Sequence, residues 1–238
     1  MKTGNVQLTY KDPAGAVQET ELAMARTTDL AGGQPWRRFR WHHGQAHYSG
    51  WYWSATMGKH VVYESRLELA RLLLADFDPR VVSIAAQPFH ITEHQVGRTR
   101  RHVPDYLLLD QDGLATVVNV KPADLLAKPK IAAALEWAGT VFADRGWRHE
   151  IWSSAPTTVL ANVRFLAAYR HRDRVAVDVL ARVEDTVGEP VSLDELEAFW
   201  PRQSGEVRAA ALHLLWRGVF RADLSSPLSG STMLGRAA

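Results

Sequence analysis

The 238-residue chain contains no cysteine. That excludes disulfides, thiolate zinc sites and a cysteine nucleophile, and it suits a reducing cytoplasm. No apolar run approaches the ~18–20 residues that a membrane span needs. Met1-Lys2 leads into polar sequence, without the apolar core of a signal peptide. Excess charge of one sign is also missing. The 28 Lys+Arg against 26 Asp+Glu leave a net +2, so composition alone does not announce nucleic acid. There is no internal repeat and no low-complexity tract. What remains is globular in character, 46% hydrophobic and 23% charged, with length for one or two domains and an ample core.

The most informative stretch runs from Arg100-Arg101-His102-Val103-Pro104-Asp105, through Tyr106-Leu107-Leu108-Leu109, to Val117-Val118-Asn119-Val120-Lys121. It reads as two apolar strands joined by a turn at Gln111-Asp112-Gly113. Asp105 opens the first strand. Asn119 and Lys121 alternate with Val118 and Val120, so they share one face of the second. An acid, an amide and a lysine thus converge on one side of a hairpin. A charged lysine between valines is costly to bury unless it is paired. The plainer alternative is an edge strand with Lys121 in solvent.

Around this hairpin the pattern is α/β. Residues 6–10 and 17–22 alternate about a turn at Asp12-Pro13-Ala14-Gly15 and predict a terminal hairpin. Arg37, Arg38 and Arg40 interleave with Trp36, Phe39 and Trp41, and Trp51-Tyr52-Trp53 follows. Guanidinium groups pair with phosphates and rings stack on bases, so this run suits DNA, although a solvated basic strand would read alike. His42, His43 and His47 lack the neighbouring carboxylates or thiolates of a strong metal signal. Residues 63–75 predict a helix with a wide apolar face, on which Glu64, Glu68 and Arg71 form one stripe. Taken alone, that stripe is an ordinary surface with a Glu68–Arg71 pair.

Residues 81–84 and 89–92 predict strands, with Gln87-Pro88 between them. Arg98, Arg100 and Arg101 form a basic approach to the central hairpin, and Lys128 and Lys130 follow it. A helix through Ile131, Ala134, Leu135, Ala138, Val141 and Phe142 and a short strand at 150–153 complete an α/β core with a mixed sheet. The character changes after Arg170-His171-Arg172-Asp173-Arg174, which places a boundary at 173/174. Ser192-Leu193-Asp194-Glu195 is a capping box. Residues 204–217 predict an amphipathic helix capped by Gly218, and residues 219–222 and 231–234 suit wing strands. Two helices and a ribbon resemble a winged-helix module, for DNA or a partner; a plain helical extension fits equally.

Phosphodiester hydrolysis needs a divalent metal to activate water and neutralise developing charge. Mg2+ takes one or two carboxylates, carbonyls and water. Asp105, the Asn119 side-chain oxygen and the Val120 carbonyl supply such donors, a glutamate from the preceding helix completes them, and Lys121 addresses the water. Pro104-Asp105, Asn119-Val120-Lys121 and, upstream, Ser65-Arg66-Leu67-Glu68 together resemble the PD-(D/E)XK nuclease superfamily. The resemblance implies a restriction-endonuclease-like core, Mg2+ or Mn2+ as cofactor, and Glu68 as the helix ligand. Glu64 is the runner-up and Gln87 an accessory residue.

More closely, the chain resembles the TnsA endonuclease subunit of heteromeric transposases. The likeness is carried by Tyr48 to Ser54, Tyr63 to Glu68, Asp76 to Pro79, Gln87-Pro88-Phe89, Pro104-Asp105, Val120-Lys121-Pro122 and Gly218 to Leu228. It implies nicking of the 5′ strands at transposon ends. It also implies double-stranded DNA, a DDE-type transposase and an ATPase regulator as partners. Asn119 departs from the acid or glutamine usual at its position. It keeps an oxygen but loses a charge, which points to weakened or absent cleavage. A DNA-binding scaffold without chemistry, or a stand-alone repair, restriction or junction nuclease, are the competing readings.

Overall fold

Residues 6–37 and 48–237 are described by a computed structural model, in which the chain divides into two units. The first comprises Met1–Asp76 and Arg80–Ser154; the second comprises Phe77–Pro79 and Ala155–Ala238. The expected boundary at 173/174 therefore falls inside the second unit.

In chain order the first part carries β1 (Val6–Lys11), β2 (Val17–Glu21), α1 (Thr27–Gly32), β3 (Gly50–Ser54), β4 (Lys59–Tyr63) and α2 (Arg66–Phe77). There follow β5 (Val81–Ala86), β6 (His90–Gln95), β7 (Arg98–His102), β8 (Tyr106–Asp110), β9 (Ala115–Val120), α3 (Ala123–Leu126), α4 (Pro129–Asp144) and β10 (Arg148–Trp152). One sheet has the order β2-β1-β6-β7 and is antiparallel throughout. A second has the order β10-β9-β8-β5. In it β5, β8 and β9 run antiparallel while β10 lies parallel to β9, reached through α4. The mixed α/β core read from the sequence is present. β9 is an interior strand, so Lys121 does not end an edge strand.

The inner strands β8 and β9 are buried on both faces, which explains why they read as nearly continuous apolar runs. Leu107, Leu109, Ala115 and Val117 point into one core, with Leu8 and Ile91 from the first sheet and Trp137, Ala138, Val141 and Phe142 from α4. Tyr106 and Val118, on the opposite face, are buried as well. The Tyr106 hydroxyl reaches the carbonyls of Val62 and Glu68. A fully buried side chain such as Phe142 contributes roughly 2–3 kcal/mol. The turn between the strands needs the positive φ of Gly113, 78°.

The second unit carries α5 (Thr157–Leu166), α6 (Val177–Thr186), β11 (Val191–Ser192), α7 (Leu193–Ala198), α8 (Ser204–Trp216), β12 (Phe220–Arg221) and β13 (Met233–Arg236). Its small sheet has the order β11-β13-β12. The capping box forms as expected: the Ser192 hydroxyl accepts from Glu195 N–H, and the Glu195 carboxylate accepts from Ser192 N–H. Residues 207 and 210–216 of α8 are all buried. α5 belongs here because Val163 and Leu166 bury within this unit and the Asn162 amide donates to the Leu224 and Ser226 carbonyls.

Candidate active site

Pro104 ends the approach to β8 and leaves Asp105 just before the strand proper. Its backbone is fixed on both sides. Its N–H donates to the Val118 carbonyl at 3.0 Å, and its carbonyl accepts from Gln87 N–H at 2.8 Å. The carboxylate then turns across the end of β9. Oδ2 accepts from Val120 N–H at 2.6 Å and from Lys121 Nζ at 3.2 Å. Lys121 Nζ also donates to the Val120 carbonyl at 2.9 Å. An ammonium group thus sits between a carboxylate oxygen and a carbonyl oxygen. The pairing settles how a lysine can follow a run of buried valines.

Glu68 enters from the first turn of α2. Ser65 and Glu68 build a second capping arrangement there. The Ser65 hydroxyl accepts from Glu68 N–H at 3.1 Å, and the Glu68 carboxylate accepts from Ser65 Oγ at 3.2 Å and from Glu64 N–H at 2.7 Å. The Glu68 carboxyl is raised to about 7, first by burial and also by the Asp105 and Glu64 charges, against the Glu64 N–H and Ser65 hydrogen bonds that pull it down. Glu68 and Asp105 therefore feel one another. Glu64 turns the other way and pairs with Arg37 at 2.9 Å. The surface pair between Glu68 and Arg71 does not form: Arg71 makes a two-pronged contact with Glu150 of β10, at 2.9 and 2.8 Å.

Asn119 was expected to face the same metal as Asp105. It is fully buried, and its Oδ1 lies 3.0 Å from Nε2 of both His102 and His149. Its Nδ2 has no partner. Burial holds both imidazoles below the ordinary histidine range; for His102 the Asn119 hydrogen bond opposes it. Among the described residues no three His, Asp or Glu side chains are grouped to hold a metal. The candidate donors are two carboxylates and a carbonyl, all hard oxygens.

Residues 78–154 match the family model for the TnsA-like endonuclease N-terminal domain.

The match spans roughly a third of the chain and supports a TnsA-like nuclease domain there. It contains Gln87, Asp105, Asn119, Val120 and Lys121, while Glu64 and Glu68 precede it. No curated protein matches the chain significantly. Within the TnsA-like segment the basic residues divide. Arg98, Arg101, Lys128 and Lys130 are exposed. Arg100 points to the other face of β7 from Arg101, over the Trp137 ring, with Glu93 3.8 Å away. Arg38, Arg40, His42, His43 and His47 lie outside the described residues. Gln87 takes a φ of 44° although it is not glycine, and it is buried. Its side-chain oxygen accepts from Arg37 N–H at 3.2 Å, so it ties the Trp36-Arg37 segment to Asp105.

Sequence reasoning missed three things. The Ser65-Arg66-Leu67-Glu68 run is itself a capping-box signature, and that signal was available. The Arg71–Glu150 brace and the histidine pair on Asn119 join residues far apart in sequence, and no local pattern announces them.

Proposed function

We propose that this chain is a divalent-metal-dependent DNA endonuclease of the transposition type, hydrolysing phosphodiester bonds to nick the 5′ strands at transposon ends. One observation carries the reading: the Lys121 ammonium occupies the gap between the Asp105 carboxylate and the Val120 carbonyl, with the Glu68 carboxyl electrostatically coupled to Asp105. A cation already stands between two hard oxygens, so the donor set suits Mg2+ or Mn2+, which bind through one or two carboxylates and keep several waters. Asp105, the Val120 carbonyl and Glu68 would hold the ion. When bound, it would lower the pKa of a water molecule and offset negative charge on the phosphate.

The protein's own groups have distinct tasks. Asp105 is held by two backbone hydrogen bonds and by Val120 N–H, so its carboxylate is preorganised. Lys121 orients the attacking water and stabilises charge building on the phosphate oxygens. Glu68, its carboxyl raised to about 7, would give up its proton near neutrality and help hold the ion. Exposed Arg98, Arg101, Lys128 and Lys130 contact DNA phosphates, which positions the duplex without reading its sequence. From α6 onward the order helix, strand, helix, helix, strand, strand, with its middle strand last in sequence, supports a winged-helix module. Residues 210–216 of α8 are buried, and its exposed surface is confined to the first turns, which carry Glu206 beside Arg208, so we assign the module to a protein partner rather than to a DNA groove. A DDE-type transposase and an ATPase regulator are the proposed partners, through the TnsA resemblance.

The test is relaxation of supercoiled plasmid by the purified chain with Mg2+, with Mn2+ and with chelator. Nicking that requires the metal is expected. Plasmid binding without nicking at any metal concentration would transfer the assignment to a DNA-binding scaffold.

A further inference from the structure

Asn119 occupies the position where a third metal ligand is expected, yet its oxygen is already engaged. Oδ1 lies 3.0 Å from His102 Nε2 on β7 and 3.0 Å from His149 Nε2 on β10. An amide oxygen only accepts and has two lone pairs. With hydrogen on both Nε2 atoms, the two rings use both. The contact also joins the two sheets, because β7 belongs to one and β9 and β10 to the other.

The rings themselves are confined. The Phe142 ring lies 6.3 Å from that of His102 and 5.6 Å from that of His149, centroid to centroid. Gly139 of α4 lets the His149 ring approach the helix backbone: a Cβ there would fall 2.7 Å from His149 Nδ1. The Asn119 Nδ2 group is buried and unpaired. An orphaned polar atom costs about 1–3 kcal/mol, a cost set against the two contacts that the oxygen makes.

We infer that Asn119 is a positioning residue, a clamp between β7, β9 and β10, and not a metal ligand. Its effect passes through the next residue. With Asn119 fixed, Val120 N–H meets Asp105 Oδ2 at 2.6 Å and the Val120 carbonyl lies against Lys121 Nζ. The part of this inference that concerns metal rests on the proposed nuclease reading; the clamp itself does not. An acid at position 119 would strengthen the contact to the two rings and add nothing at the metal.

Two measurements on the full chain test this. Long-range 1H–15N spectra of histidine-labelled protein report which ring nitrogen carries hydrogen. Both His102 and His149 should carry it on Nε2. A ring bare at Nε2 and protonated on Nδ1 would place the amide nitrogen at that contact and free the oxygen, which overturns the clamp. Calorimetric titration with Mn2+ supplies the second arm. Asn119→Asp should bind within about twofold of the unaltered chain, and Asn119→Ala about tenfold more weakly, as for other groups that orient ligands. Asp105→Ala should not bind. A tightening of about tenfold or more in Asn119→Asp would make position 119 a ligand and overturn the inference. If the unaltered chain binds no Mn2+, the metal-dependent reading fails, and the ring hydrogens still decide the clamp.

Discussion

At the scale of single residues, Glu68 carries the most consequence. Its carboxyl is raised from 4.5 to about 7, first by burial. Between those values the unfolded chain has lost this proton and the folded chain keeps it. The stability it contributes is therefore complete below about pH 4.5 and is lost as pH rises through 7, on the order of 3 kcal/mol in all. Glu68→Gln should flatten that part of the pH–stability profile, as read by urea unfolding at pH 5, 6, 7 and 8; an unchanged profile would remove Glu68 as its source. The same shift makes metal binding proton-linked. Mn2+ should displace most of one proton at pH 6 and little at pH 8, visible as buffer-dependent heats in calorimetry. In cleavage, Glu68→Ala should abolish nicking with DNA affinity retained, and Glu64→Ala, whose carboxylate pairs with Arg37, should do less. The reverse ranking in a nicking assay would reassign the helix ligand. Asp105 and Lys121 were legible in the sequence because the residues that matter are local: a proline before a strand, a lysine closing another. His102 and His149 were not, because only the pairing of β9 with β10 and the approach of β7 bring them to Asn119.

At the scale of elements, Asp76 shows how a polar residue can fix an assembly. It is buried at the end of α2 and accepts from the Tyr52 and Ser54 hydroxyls and from the Ala55 and Thr56 N–H groups. The β3–β4 ribbon is thereby held to α2. Asp76→Ala would orphan those donors and should lower stability by about 3 kcal/mol, measured by denaturant titration; a loss under about 0.5 kcal/mol would show that the ribbon is held otherwise. β7 was read only as a basic approach, because its Arg-Thr-Arg-Arg composition hides its strand period. Its alternation sends Arg101 outward and Arg100 onto Trp137. Replacing Arg98, Arg101, Lys128 and Lys130 together should reduce the slope of log DNA affinity against log salt by about one unit per lost phosphate contact. An unchanged slope would make them a solvated face. β1, β2, β5, β6, β8, β9, β10 and α4 were legible from apolar periodicity, whereas β3 and β4 were not read as strands. α5 and α6 were passed over although their apolar spacing is regular, and β11, two residues long, offers no period to detect.

At the scale of the whole molecule, the chain divides into two units that part at Ser154/Ala155, whereas the sequence places the boundary at 173/174. A fragment of residues 155–238 should unfold cooperatively by circular dichroism. A fragment of residues 174–238, without Val163, Leu166 and the Asn162 clamp on residues 224–228, should not. Equal cooperativity in both would restore the earlier boundary. The first unit carries Glu68, Asp105 and Lys121, and the claim that they form a hydrolytic centre bears on everything else. The most direct measurement is the single-turnover nicking rate of the full chain and of Asp105→Asn, on one DNA, across a Mg2+ and Mn2+ titration. The unaltered chain should nick only with metal, and Asp105→Asn should be slower by at least about 10²–10³-fold, the scale of losing one preorganised electrostatic contact. Equal rates in the two proteins would contradict the account and place any cleavage elsewhere.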